Sequence, residues 1–173
     1  MELKDKLISS FMAFEEKVDV AAELHDVRTE ALKNFEEKGF PSKKEEAWKY
    51  TSLNAILKND FSIFPKKEHE IEVKDVKKYF INDVDTYKVI FIDGVFSTFL
   101  SSTTHDGLDV CLMSSALTKP KYKMIIDTYF NQVASKEDSL TTLNTAFAYE
   151  GAYINIPKSK VVEKPIEIIY FST

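Results

Sequence analysis

The chain has 173 residues, of which 44% are hydrophobic and 13% aromatic, and such a composition excludes an intrinsically disordered protein. Its formal net charge of −5 comes from interleaved lysines and acids, which gives no basic surface for nucleic acid or for a membrane. Four glycines argue against a glycine-rich nucleotide-binding enzyme, and a single cysteine excludes an internal disulfide and fits the reducing cytoplasm. The sequence contains no apolar run long enough to span a bilayer and no signal-peptide pattern at its start.

Residues 2–38 predict two amphipathic helices, because apolar side chains recur there every three to four positions. Asp19 lies where the two stripes change phase and is a candidate N-cap. We interpret both stripes as core packing rather than as grooves for a partner. The first stripe consists of Leu3, Leu7, Ile8, Phe11, Phe14 and Val18, and the second of Leu24, Val27, Ala31, Leu32 and Phe35.

The segment after the second helix predicts a turn between two helices. Gly39 can adopt the left-handed conformation that ends a helix, and Pro41 cannot continue one. Ser42 precedes Glu45 by three positions, which is the spacing of a capping box. A third helix is therefore expected over residues 42–58.

Trp48, the only tryptophan, belongs to this predicted helix. We expect its ring to anchor the helix to the rest of the N-terminal domain, since large aromatic side chains dominate core energetics. The alternative is that Trp48 forms a cation–π or anion-binding site with Lys44 and Lys49. Glu45 and Glu46 are not an acid–base pair, because adjacent helical residues do not face each other.

The rest of the chain mixes strands with helices. A short helix is expected near 75–80, a hairpin over 87–99 around Asp93-Gly94, a turn at 103–107 and a strand over 108–113. Two helices are expected over 122–133 and from Asp138 or Ser139 to a stop at Gly151. These expectations rest on local residue patterns alone.

Strands are expected at 152–157 and 166–171, and short strands joined by turns indicate a sheet or a solenoid. The chain stops inside apolar β material, which we interpret as truncation within a longer architecture. The last strand is then expected to expose an unpaired edge that supports a homodimer.

His105, Asp106 and Cys111 come nearest to a metal-binding group. A tetrahedral site needs three or four ligands, and the sequence has no CxxC or HxxxH spacing, so a turn followed by a buried strand cysteine is favoured. A nucleophilic Cys111 would need a base, and nothing in the sequence pairs it with His25 or His69. The sequence therefore predicts no catalytic, cofactor-binding or metal-binding residue.

Two sets of residues resemble the SufB/SufD family of iron–sulfur cluster assembly proteins, in particular its SufD branch. The first set is Arg28, Ala31, Leu32, Phe35, Gly39, Phe40, Pro41, Ser42, Lys43, Glu45, Trp48, Lys49, Tyr50 and Thr51. The second set is Leu143, Asn144, Ala146, Phe147, Gly151, Ile154, Ile156, Pro157, Pro165 and Ile166.

The resemblance implies an α+β chain in three parts. These are an N-terminal helical domain over 1–60, a hairpin-containing mixed α/β connecting segment over 61–137, and a third part over 138–173. The third part would hold a helix and the first strands of a truncated right-handed parallel β-helix, whose open end needs a cover.

The resemblance also implies a non-catalytic subunit that acts with SufB-like and SufC-like (ATPase) partners. The iron–sulfur cluster would form in the full complex and not in this segment, because the family's cluster-linked cysteine and histidine and its SufC-docking surface lie outside this sequence. The alternative is a stand-alone α+β ligand-binding or enzymatic domain with an unrecognised pocket.

Overall fold

The computed structural model describes residues 2–17, 24–63, 71–102, 107–148 and 151–172. These residues form seven α-helices, one 3₁₀ turn and five β-strands, which confirms the predicted α+β class. The chain divides into two compact units: unit 1 comprises residues 1–64 and 125–149, and unit 2 comprises residues 65–124 and 150–173. The three-part division implied by the family resemblance stays a prediction.

The elements confirm most of the predicted helices and strands. Asp19 lies outside the described residues, as does all of the turn at 103–107 except Gly107. In chain order the elements are α1 (Leu3–Glu15), α2 (His25–Lys38), α3 (Asn54–Leu57), α4 (Val73–Lys77), β1 (Tyr87–Ile92), β2 (Val95–Phe96), β3 (Asp109–Leu112), α5 (Met113–Leu117), α6 (Pro120–Tyr129), α7 (Ser139–Ala146), β4 (Ala152–Asn155) and β5 (Ile166–Phe171).

Unit 1 is held together by an aromatic core between α1, α2 and α7. The Phe11 ring meets the Phe147 ring edge-on at 5.9 Å, and Phe14 lies 5.1 Å from the same ring. Ala31 and Ala146 fill the space between the helices and are fully or nearly fully buried. Phe11, Phe14, Ala31 and Leu32 of the two stripes are therefore core packing, as predicted, whereas Val18 lies outside the described residues.

The prediction of a third helix over residues 42–58 is wrong. The Glu45 carboxylate does accept a hydrogen bond from the Ser42 N–H at 2.8 Å, but the Ser42 hydroxyl accepts from the Lys44 N–H at 3.3 Å. Only half of the capping box forms, and it closes a turn instead of starting a helix. A 3₁₀ turn at Glu46–Trp48 and the single turn of α3 replace the expected helix.

Unit 2 contains a three-stranded sheet, in the order β2-β1-β5, and the two-stranded ladder β3-β4. The predicted hairpin joins β1 to β2, and both turn residues have positive φ, +47° at Asp93 and +84° at Gly94. β5 pairs with β1 in parallel, from Tyr87 opposite Ile166 to Ile92 opposite Phe171. The apolar faces of the sheet and the ladder share one core, whose buried members are Val89, Phe91, Phe96, Leu108 and Val110.

The N-cap of α7 carries a first prediction. Asp138 accepts a 2.6 Å hydrogen bond from the Thr141 N–H, and this bond holds the pKa of the carboxyl below its ordinary value of 3.8. We expect Asp138→Ala to lower the free energy of unfolding by about 1 kcal/mol at neutral pH. Asp138→Asn should retain most of the stabilisation, because an asparagine side chain can also accept the capping hydrogen bond.

Because the folded-state pKa of Asp138 is depressed, its contribution is complete above about pH 4 and is lost as the pH falls through the folded-state pKa. Urea denaturation of wild type and both variants at several pH values measures this. Equal stability of Asp138→Ala and wild type at neutral pH would contradict the assignment.

Candidate functional site

The single cysteine lies on the outer face of the β3-β4 ladder. In the antiparallel register Cys111 is opposite Tyr153, and Asp109 is opposite Asn155, so these four side chains share one face. The intervening residues of both strands, such as Val110, point to the core. The ladder therefore separates an apolar face from a face that carries a thiol, a phenol and a carboxylate.

Tyr122 of α6 packs on this face, and its ring centroid is 4.7 Å from that of Tyr153. The Asp109 carboxylate accepts a hydrogen bond from the Asn155 amide at 3.2 Å, and its interaction with the Tyr122 phenol contributes to the raised pKa of that group. The Lys121 ammonium is 3.7 Å from the same carboxylate. We call this cluster the thiol face; its members are Asp109, Cys111, Tyr122, Tyr153 and Asn155.

Burial raises the pKa of the Cys111 thiol above its ordinary value of 9.0, with Lys119 opposing the rise and Asp109 adding to it. Burial is also the largest cause of the raised pKa values of Tyr122 and Tyr153. The thiol is therefore protonated at neutral pH, whereas the thiolate is the reactive form of cysteine. The thiol face does not activate a nucleophile, although the buried Tyr153 hydroxyl has no hydrogen-bond partner among the described residues.

Metal binding gains no support from the described part of the chain. Within the described ranges no three His, Cys, Asp or Glu side chains come together as a metal-binding group. His69, His105 and Asp106 lie outside these ranges. His25 is positioned by a contact of its Nδ1 with the Glu15 carboxylate.

Trp48 is half-buried and belongs to neither of the hydrophobic clusters that the described residues form. The cation–π contact in this turn is made by Lys49 with the ring of Tyr50, at 5.6 Å, and that ring is 90% exposed. Glu45 is held by a backbone N–H of the preceding turn, whereas Glu46 lies 4.0 Å from Lys49. The turn places aromatic and charged side chains on the surface without assembling a site.

Sequence reasoning missed a charged cluster in the core of unit 1. The Arg28 side chain is 1% exposed. Its Nε and Nη2 both lie 2.9 Å from the same carboxylate oxygen of Glu15, Oε1. Its Nη1 donates to the Ala148 carbonyl at 3.2 Å, and the guanidinium lies 5.8 Å from the Phe14 ring centroid. We call this group the Arg28 clamp, because it joins α1, α2 and the residues that follow α7 through satisfied polar contacts.

An open groove of about 590 Å³ lies beside the N-terminal end of α1. Lys6 contacts Asp60 and donates to the Phe61 carbonyl at 2.7 Å at this end of the helix. The groove mixes both charge signs with amides and apolar side chains, and its lining shows no convergent catalytic groups. The lining residues are Glu2, Leu3, Lys4, Lys6, Phe40, Asn54, Leu57, Lys58, Asn59 and Asp60.

None of the helices in the described ranges has the length and apolar character needed to cross a membrane.

Comparison with known proteins gives the family. The family model described as the SufBD protein N-terminal region matches residues 1–168. The chain therefore belongs to the SufBD family, and the resemblance carried by the Arg28 and Gly39–Thr51 residues is confirmed at that level.

A curated relative agrees with this assignment. The chain is 22% identical over 132 residues to an iron–sulfur cluster assembly SufBD family protein of Synechocystis sp.. The match covers 76% of this chain and 29% of the length of that relative. The chain thus spans less than a third of the relative.

Proposed function

We propose that this chain is the N-terminal part of a SufD-type subunit with a structural and interaction role in iron–sulfur cluster assembly. The observation that carries the proposal is the family match over residues 1–168. Burial raises the pKa of the Cys111 thiol, so this cysteine is not proposed as a nucleophile. Cluster formation is assigned to the complete complex.

The proposed partners are a SufB-like subunit and a SufC-like ATPase in the cytoplasm. The proposed continuation of the chain is a right-handed parallel β-helix. β1 and β5 pair in parallel, which is the one feature of the described sheets that such a solenoid shares. The proposed role of the N-terminal helical domain over 1–60 is to cover the open end of that solenoid, because a terminal rung needs a cover.

Affinity purification tests the partners. The tagged protein, expressed from its complete gene with SufB-like and SufC-like subunits under reducing conditions, is expected to retain both. The same expression without the tagged protein is the control for nonspecific retention. Recovery of the tagged protein alone would contradict the proposal.

A second arm separates the SufD type from the SufB type. The tagged protein is expressed with a SufB-like subunit alone, and in parallel with a SufD-like subunit alone. A SufD-type chain is expected to pair with the SufB-like subunit, and the reverse preference would show a SufB-type chain.

A further inference from the structure

The groove beside the N-terminal end of α1 lies between two walls of unit 1. One wall is the first turn of α1, which contributes Leu3 and Lys4, and the other is α3 with the residues that follow it. Lys6 fastens the walls together, because its ammonium contacts Asp60 and donates to the Phe61 carbonyl at 2.7 Å. The volume of about 590 Å³ lies within the range of ligand pockets.

The apolar part of the lining is supported by the core of unit 1. It consists of Leu3, Phe40 and Leu57, each of which is half-buried. The Phe40 ring meets the fully buried Phe35 ring edge-on at 5.1 Å, so the core fixes its position. Half-buried apolar side chains that line an open groove can bury an apolar anchor of a ligand.

The wall formed by α3 is held by polar contacts rather than by packing. None of its side chains is buried, and Ile56 is 52% exposed. The Asn59 amide donates to the Ala55 and Ile56 carbonyls at 3.1 and 3.2 Å. A single helical turn is not stable alone in water, so these bonds and the Lys6 contacts position it. The wall is therefore ordered while its apolar side chains stay available to a ligand.

The lining is locally positive in a chain whose net charge is −5, since it carries three lysines and two carboxylates. Lys6 engages the Asp60 carboxylate, and this hydrogen bond holds the pKa of Asp60 below its ordinary value of 3.8. Lys4 on one wall and Lys58 on the other have no ion-pair partner among the described residues. The groove thus combines an apolar lining with two ammonium groups that an acidic ligand complements.

We propose that this groove binds an acidic amphipathic segment of a partner protein. Apolar side chains of that segment enter between Leu3, Phe40 and Leu57, and its carboxylates meet Lys4 and Lys58. A nucleic acid is disfavoured, because its phosphate backbone offers no apolar anchor to this lining. The inference deepens the proposed interaction role and rests on it.

Three synthetic peptides test the groove in fluorescence-anisotropy titrations of the protein expressed from its complete gene. The first carries leucines at helical spacing among glutamates, the second replaces the glutamates with lysines, and the third replaces the leucines with serines. The first is expected to bind with a dissociation constant on the order of 10–100 μM, and more weakly as salt is added. The second and third should bind at least about tenfold more weakly.

Two substitutions locate the binding. Lys58→Glu should weaken binding of the first peptide by roughly three- to tenfold, because repulsion replaces attraction at the rim. Leu57→Ser should weaken it by about tenfold, because an apolar contact is lost. Lys33→Glu is the matched control: Lys33 is exposed on α2, lies outside the groove and undergoes the same change of charge, so binding should equal that of wild type. Circular dichroism establishes that each variant is folded.

Four results would overturn the proposal: no binding of the first peptide, equal binding of the lysine peptide, equal binding of the serine peptide, or equal losses in Lys58→Glu and Lys33→Glu. The serine result would identify an anion site without an apolar anchor. Self-association of the protein that Lys58→Glu abolishes would also overturn it, in favour of a second copy as the occupant. The titrations contain no SufB-like or SufC-like subunit, so their failure leaves the copurification test of the proposed function unchanged.

Discussion

Replacing Arg28 by methionine is expected to lower the free energy of unfolding by roughly 3–5 kcal/mol. The guanidinium is 1% exposed and the Glu15 carboxylate 11% exposed, so the substitution leaves a mostly buried carboxylate whose remaining partner among the described residues is His25. The Ala148 carbonyl also loses its donor. Chemical denaturation at neutral pH measures the difference.

Two controls separate the Arg28 clamp from general effects of charge removal. The pair Lys136–Glu30 is 61% exposed on both sides, so Glu30→Gln should cost less than about 1 kcal/mol. The double variant Arg28→Met/Glu15→Leu should recover much of the loss, because an apolar replacement of both partners removes the uncompensated charge. A cost for Arg28→Met no larger than that of Glu30→Gln would contradict the clamp.

A milder substitution keeps the test usable if Arg28→Met does not fold. Arg28→Lys preserves the charge. Its single ammonium group cannot donate to Glu15 and to the Ala148 carbonyl at the same time in the way that the planar guanidinium does. It should therefore destabilise less than methionine and still more than Glu30→Gln.

The Arg28 clamp also shows where sequence reasoning stopped. Arg28 follows Leu24 by four positions and precedes Ala31 by three, so it lies on the apolar stripe of α2. A charged residue on that stripe was a signal that a buried partner exists. The sequence did not identify that partner, because Glu15 and Ala148 are 13 and 120 positions away from Arg28.

Local patterns predicted what local forces decide. The Asp93-Gly94 hairpin was predictable because two residues with positive φ specify it. The helix at 42–58 was not, because a turn competed for the same side-chain bond. The thiol face depends on the register of β3 against β4, in which Cys111 meets Tyr153, and no residue near Cys111 encodes that pairing.

Glu167 is the second position where a large effect is expected, in unit 2. Its buried carboxylate accepts hydrogen bonds from the Ile81 N–H at 2.8 Å and from the Thr86 hydroxyl at 2.7 Å, and it lies 3.4 Å from the Lys88 ammonium. Glu167→Ala removes the acceptor for all three groups, so the free energy of unfolding should fall by roughly 3–5 kcal/mol. Glu167→Gln keeps one acceptor oxygen and should cost about 2 kcal/mol.

The pH dependence distinguishes the charge of Glu167 from its shape. Burial raises the pKa of its carboxyl, but the bonds from Thr86, Ile81 and Lys88 together outweigh burial and hold it below its ordinary value of 4.5. A depressed folded-state pKa means that the unfolded chain binds the proton more readily, so the stabilisation is complete above about pH 5 and is lost as the pH falls through the folded-state pKa. The stability difference between wild type and Glu167→Gln should therefore be constant from about pH 5 to 8 and shrink in more acidic solution. A difference that stays constant in acid would show that shape and hydrogen bonding, and not charge, make Glu167 stabilising.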